Sequence, residues 1–336
     1  MLKVTTNFLR THFSGLVLSS WIAGVSIVIC TNFSYLFLSP ILVSGFVGVF
    51  IRNSFGISKN DLPGVFFSAQ KVLRLAVILL ALRISFFQIL GIGLSGLALI
   101  YFCCLSSFLF TCWLGNKLGI DRKLTQLIAS GTSICGASAI LVASPIIDNS
   151  EEDIAYSIAL VTCLGTLAML GYPILAGFLG LTPTVFGLWC GTSIHEVAQV
   201  IAASFQRGEI SGEIATIAKL SRVMLIFPLI AFLGFQSKVL QKSGNSNFRL
   251  RSFPWFVLFF FLLVVINSLG LVPPTVIDPI QTLNQFLLSM AMAAMGLLTS
   301  TDALKRIGFR PIYLASLSWL FLGSVSLLLL RFHAPN

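Results

Sequence analysis

The stretch IAYSIALVTCLGTLAMLGYPILAGF, residues 154–178, holds 25 residues and no charged side chain. As a helix it is about 37 Å long at 1.5 Å per residue. The hydrocarbon core of a bilayer is about 30 Å thick. The stretch therefore predicts a transmembrane helix. The rest of the chain has the same character: over its 336 residues, 57% are hydrophobic and 10% are charged, and the mean hydropathy is +0.97. Soluble domains carry about 25% charged residues. A soluble enzyme, a disordered chain and a disulfide-rich secreted domain are excluded by this composition, which leaves an all-α polytopic membrane protein.

Working outward, apolar segments recur at 14–30, 34–52, 64–83, 90–114, 124–146, 154–178, 184–205, 213–235, 254–271, 279–299 and 311–330. These eleven segments leave no room for a soluble domain. The chain is expected to be one integral membrane domain over 1–336, with approximate halves 1–150 and 151–336. The first segment lacks a convincing small-residue cleavage site and reads as a retained span. With the N-terminus inside, alternation places fourteen Lys and Arg residues on the cytoplasmic side. It places three, Arg83, Arg207 and Arg331, on the other. That bias predicts a cytoplasmic N-terminus and an external C-terminus. It also accounts for the net charge of +10 without nucleic acid. The acidic loop Asp148–Asp153 falls outside on this count.

The seven cysteines show no CxxC pair and no metal-ligand spacing. They read as small buried hydrophobes. No metal, cofactor or catalytic residue is expected, and no GxxxxGK[ST] loop is present to use ATP.

Charges inside the spans are the informative feature, because each costs a few kcal/mol at the bilayer centre and so faces a cavity or a partner. Lys71 and Arg74 lie in the third span and Lys219 and Arg222 in the eighth, each as K-x-x-R. An i,i+3 spacing puts each pair on one helix face. The two pairs enter from opposite sides of the membrane, as in an inverted repeat. The seventh span adds His195 and Glu196, the one acid deep in a span.

GTSI occurs twice, at Gly131, Thr132, Ser133 and again at Gly191, Thr192, Ser193. Gly relaxes a helix, and Thr or Ser can cap the half-helix beyond it. Two helix ends inside the membrane, with positive dipole ends and two basic pairs, predict a site for a small anion. Close small-residue helix packing is the plain alternative. Counted as crossing spans, both GTSI segments run inside to outside. HEVAQ, residues 195–199, misses the second His of a zinc-protease HExxH at Gln199, and a Ser–His dyad with Ser133 or Ser193 has little to support it. An enzyme is not expected.

Four segments carry a resemblance: GTSICGASAI (131–140), GTSIHEVAQVIAA (191–203), AKLSRVMLIFPL (218–229) and MAAMGLLTSTDALKRIG (292–308). On these the chain resembles the YeiH-type bacterial inner-membrane family, described as candidate sulfate exporters. One departure is Ala81, where the family more often has Gly. The resemblance implies kinship with cation–proton antiporters, bile-acid symporters and auxin-type carriers. It further implies inverted repeats, broken helices, a transport domain moving against a scaffold, and a homodimer in the lipid bilayer.

The expectation is a secondary transporter, an exporter of a small anion such as sulfate or another sulfur oxyanion or sulfonate. Gly131, Thr132, Ser133, Gly191, Thr192 and Ser193 would bind it. Lys219 and Arg222 would neutralise it, with Lys71 and Arg74 secondary. Glu196 and His195 would couple protons. The rival is a cation–proton antiporter using Glu196 and His195; four intramembrane bases against one acid favour the anion. An inert membrane sensor is a third class, in which substituting Lys219 or Glu196 would change no flux.

Overall fold

Helix starts are written locally. Ser39 accepts from the Leu42 N–H, and Pro40 opens the first turn of α2 (Pro40–Ser54), the helix after α1 (Leu2–Asn32). Asp121, Ser150 and Thr182 cap the next helices in the same way. The computed structural model describes residues 2–32, 39–84, 86–147, 149–236, 255–299 and 309–333. Lys238, Lys242, Arg249, Arg251, Lys305 and Arg306, which contribute to the charge bias, lie outside the described residues. So does 300–308 of the segment 292–308.

In their described parts the eleven apolar segments are helical apart from short breaks, and among the described residues there is no strand. Among the described residues six helices are long and apolar enough to cross a membrane. The protein is an all-α polytopic membrane protein. Packing groups the chain into two units, Met1–Gln88 with Trp255–Thr301 and Ile89–Pro254 with Asp302–Asn336. Each unit is assembled from two stretches of sequence, and the boundary near residue 150 falls inside the second.

The first unit contains α1, α2, a third span made of α3 (Leu62–Phe67), a wide turn at Ser68–Val72 and α4 (Leu73–Leu80), then α13 (Trp255–Ser268) and α14 (Pro274–Leu298). Its helices approach through small residues: a methyl on Gly48 would lie 2.4 Å from the Ala293 carbonyl oxygen, and one on Gly296 2.3 Å from that of Gly45. Lys71 sits in the wide turn, a wider i→i+5 coil often found at functional sites.

The second unit contains α5 (Phe86–Lys117, bent at Gly93), α6 (Arg122–Ser133), α7 (Ala137–Ile147), α8 (Glu151–Phe178), α9 (Pro183–Ser193), α10 (Val197–Ser204), α11 (Glu209–Val223), α12 (Ile226–Gln236) and α15 (Phe309–His333). The fifth and seventh apolar segments break where GTSI ends, at 134–136 and 194–196.

Both breaks turn the chain back. A methyl on Gly187 would meet the Ser211 carbonyl oxygen at 2.5 Å, and one on Gly191 that of Ala215 at 2.5 Å. The pairing advances by four on both helices, so α9 and α11 run parallel. The turn Phe205–Gly208 joins α10 directly to α11, so α10 runs antiparallel to both. The Arg207 guanidinium lies 5.6 Å from the Phe186 ring and donates to the Leu181 carbonyl at 3.5 Å. The outgoing end of the segment thus lies beside its incoming end. A continuous helix would separate them by about 30 Å. Residues 183–207 form a re-entrant helical hairpin.

The first break does the same. A methyl on Gly131 would lie 2.8 Å from the Ile140 side chain, nine residues onward and about 13 Å away in a straight helix. Ile120 and Leu124, at the incoming end, pack on the same core as Tyr156, just past the outgoing end. Helices α8 and α15 run parallel: Leu160 and Leu164 pack with Leu314 and Ala315, and Arg331 donates to the Leu179 carbonyl at 2.8 Å. The start of α8 is therefore level with the start of α15, where Arg310 approaches Gly119. Residues 122–147 are a second hairpin. It enters from the face where α8 begins, and 183–207 enters from the face where α8 ends. The expectation that both GTSI segments run the same way is corrected: each returns to its own face, and the two are inverted with respect to one another.

Candidate functional site

The two hairpins meet tip to tip. Gly136 adopts φ +65°, which suits glycine, and a methyl there would lie 2.7 Å from Glu196 Cγ and 3.5 Å from the His195 carbonyl. The tips are Ile134–Gly136 and Ile194–Glu196.

Incoming arms α6 and α9 end at the tips with free carbonyls, the negative ends of their dipoles. Two cations from α11 satisfy them. Lys219 Nζ donates to the Ile134 carbonyl at 2.9 Å and to that of Ile194 at 2.6 Å. Arg222 Nη1 donates to the Gly191 and Ile194 carbonyls, both at 3.2 Å, and Nη2 to that of Thr132 at 3.1 Å. Both side chains are 0% exposed. Each cation joins the two hairpins.

The outgoing arm α10 begins at Glu196, the N-cap. Thr162 Oγ1 on α8 donates to Glu196 Oε1 at 2.6 Å. Gln199 Oε1 accepts from the Glu196 N–H at 3.3 Å, one arm of a capping box. Its Nε2 donates to the Thr162 carbonyl at 2.9 Å and to Thr166 Oγ1 at 3.2 Å. Glu196 thus occupies the helix end that the sequence offered to an anion.

Of the expected site residues, Gly131, Thr132, Ser133, Gly191, Thr192, Ser193, His195, Glu196, Lys219 and Arg222 are buried around the tips. The Thr and Ser residues lie in the last turns of the incoming arms. They do not cap the outgoing arms α7 and α10, which corrects the local expectation; the chain needs three further residues to turn. Ser193 Oγ donates back to the Trp189 carbonyl at 2.6 Å. Thr132 Oγ1, Ser133 Oγ, Thr192 Oγ1, both ring nitrogens of His195 and Arg222 Nε are buried without a hydrogen-bond partner among the described residues. Lys71 and Arg74 belong to the other unit and are exposed, with the Arg74 guanidinium 5.8 Å from the Phe256 ring.

Thr162, Thr166 and Gln199 were not legible as site residues, since each is one polar residue in an apolar helix. Glu213, a second acid on α11, is buried as well. No cluster of His, Cys, Asp or Glu suited to a metal ion occurs among the described residues.

A family model described as conserved hypothetical protein 698 matches residues 14–315. The UPF0324 inner membrane protein YeiH of Salmonella typhimurium is 36% identical over 334 residues, 94% of each chain. The protein of the same name in Escherichia coli K12 is 35% identical over 327 residues, 93% of this chain and 92% of its own. A UPF0324 membrane protein of Clostridium tetani is 31% identical over 320 residues, 90% of this chain and 92% of its own. No solved structure matches.

Proposed function

Because the chain belongs to the UPF0324 family of membrane proteins, of which the YeiH inner membrane proteins are members, we propose that it is a secondary transporter that binds a small anion where its two hairpins meet. One observation carries this reading: Lys219 and Arg222, fully buried, tie together the tips of hairpins that enter from opposite faces. A site at such a junction can open to one face or the other by moving either hairpin. Two charges buried there are costly unless a counter-charge joins them. Around them stand hydroxyls of Thr132, Ser133 and Thr192, the His195 ring and Arg222 Nε, all unpartnered among the described residues. Buried polar groups are paired in more than about 90% of cases. Every one of these groups can donate a hydrogen bond, which suits an oxyanion with several acceptor atoms. Sulfate, another sulfur oxyanion or a sulfonate is the substrate class proposed.

The antiporter reading fares worse, since the carbonyl ends that would coordinate a transported cation are already taken by Lys219 and Arg222. We place the protein in the inner membrane with its N-terminus cytoplasmic. Outward movement of an anion then runs with the inside-negative potential, about 2.3 kcal/mol per charge per 100 mV, consistent with an exporter.

The test is thermal unfolding of the purified protein with sulfate, sulfite, thiosulfate, taurine, dicarboxylates, Na⁺ and Li⁺. Ligand at 100 times its Kd stabilises by about 2.7 kcal/mol. A rise with sulfur oxyanions that is lost in Lys219→Met is expected. A rise with cations alone, lost in Glu196→Gln, would overturn the anion reading.

A further inference from the structure

The charges at the hairpin tips add up in a way that constrains what can enter with the anion. Lys219 and Arg222 contribute two positive charges at 0% exposure. The incoming arms α6 and α9 present about half a negative charge each, and the outgoing arms α7 and α10 about half a positive charge each. The four arms cancel. Glu196, 6% exposed, is the one carboxyl at the tips among the described residues. Glu213 lies six residues earlier on α11, about 9 Å along the axis. In the empty site His195 counts as neutral, because a third cation beside Lys219 and Arg222 would have no counter-ion. With Glu196 ionised the tips carry about one net positive charge. A monoanion neutralises that charge. A dianion overshoots it by one.

An unbalanced charge buried away from water is expensive, and the protein's usual response is to neutralise a titratable group. Building on the anion reading, we infer that Glu196 takes up one proton when the site fills with a dianion and none when it fills with a monoanion. The surroundings allow both states of the carboxyl. The groups facing Glu196 are the Thr162 hydroxyl on α8, Lys219 on α11 and the Cys135 thiol at the opposite tip. Thr162 donates to Oε1, and a protonated carboxyl adds one O–H while keeping acceptor capacity for such a donor. Gln199 holds the N-cap through both halves of the capping box, its amide oxygen accepting from the Glu196 N–H and its backbone N–H facing the Glu196 side chain; protonating the carboxyl leaves the first of these intact. Filling the site with sulfate and loading a proton are then one event, and the complex carries the same net charge as that with a monovalent sulfonate.

The experiment compares sulfate with methanesulfonate, two tetrahedral sulfur oxyanions that differ in charge. Binding is titrated calorimetrically at pH 8 in buffers of different ionisation heat, which yields the protons taken up per anion bound. The expected numbers are about one for sulfate and zero for methanesulfonate. In Glu196→Gln the tips keep the charge of the protonated state, so sulfate binds without proton uptake. Its affinity relative to methanesulfonate rises at least tenfold. Binding of both anions with equal proton numbers, or proton uptake with sulfate that persists in Glu196→Gln, would overturn the coupling and leave the anion site standing. Binding of neither anion would overturn the anion reading itself. The wild-type comparison decides the matter even if the variant does not fold.

Discussion

A buried lysine can be structural or functional, and the two make different demands. Lys219 satisfies two helix-end carbonyls, yet its charge exceeds what they need. Replacing Lys219 by an apolar residue of similar length removes an unneutralised buried charge but leaves the Ile134 carbonyl without that donor, and the two effects oppose each other. Lys219→Met should therefore shift the ligand-free melting temperature by no more than about 3 °C, roughly 1–2 kcal/mol for a chain of this size, while abolishing the anion-induced rise. A collapse of the ligand-free protein would mark the charge as structural. Gly165 offers a sharper structural prediction. A methyl there would lie 1.9 Å from Gln199 Oε1, so Gly165→Ala must expel the amide from its bonds to Thr162 and Thr166. Orphaned buried groups cost about 1–3 kcal/mol each, and the melting temperature should fall by several degrees. Gly171→Ala, on the same helix with nothing within 4 Å of the new methyl, should be neutral or slightly stabilising. Equal effects from the two would disprove the packing of Gln199 against α8.

At the scale of elements, the two hairpins decide the topology. Each has arms of 8–12 residues, too short to cross a bilayer alone. Irregular backbone at their tips is tolerated because protein covers it. Single cysteines placed at Asn116, Asn149, Thr182 and Gly208 in a cysteine-free background test the arrangement with a membrane-impermeant thiol reagent. Asn116 and Asn149 flank the first hairpin and should label from one side; Thr182 and Gly208 flank the second and should label from the other. Eleven continuous spans would put Asn149 opposite Asn116 and Thr182 opposite Gly208. The hairpins also share a layout. Thr162 follows Gly131 by the same 31 residues by which Arg222 follows Gly191. In one repeat that helix position holds the acid's hydroxyl partner, in the other a cation.

For the molecule as a whole, turning two segments back leaves the parity of the remaining crossings unchanged. The sides of the basic loops are kept; the acidic loop Asp148–Asp153 changes face, joining the side of Lys117, Arg122 and Lys123, and the uncharged loop Leu179–Pro183 changes face the other way. Reporter fusions should place residue 1 in the cytoplasm and residue 336 outside. Fusions at Asn149 should report the cytoplasm, which separates the hairpin topology from a count of spans at whole-molecule scale.

The sequence by itself determined the solvent of this protein, its helices and most of the polar residues that gather at the hairpin tips. Apolar runs of 17–25 residues can satisfy their backbone in lipid only as helices, and a buried charge such as Lys219 or Arg222 announces itself wherever it stands in such a run. The breaks at GTSI were legible too, because Gly and Thr-Ser weaken a helix locally. The direction of the chain after each break, the meeting of the tips, and the use of Lys219 and Arg222 to cap two carbonyl ends were decided only in tertiary structure. Hydropathy has no sign along the membrane normal: a segment of 22–26 apolar residues reads the same whether it crosses or doubles back. Which it does depends on contacts between residues far apart in the chain, Gly187 with Ser211 and Gly136 with Glu196, that no local pattern encodes.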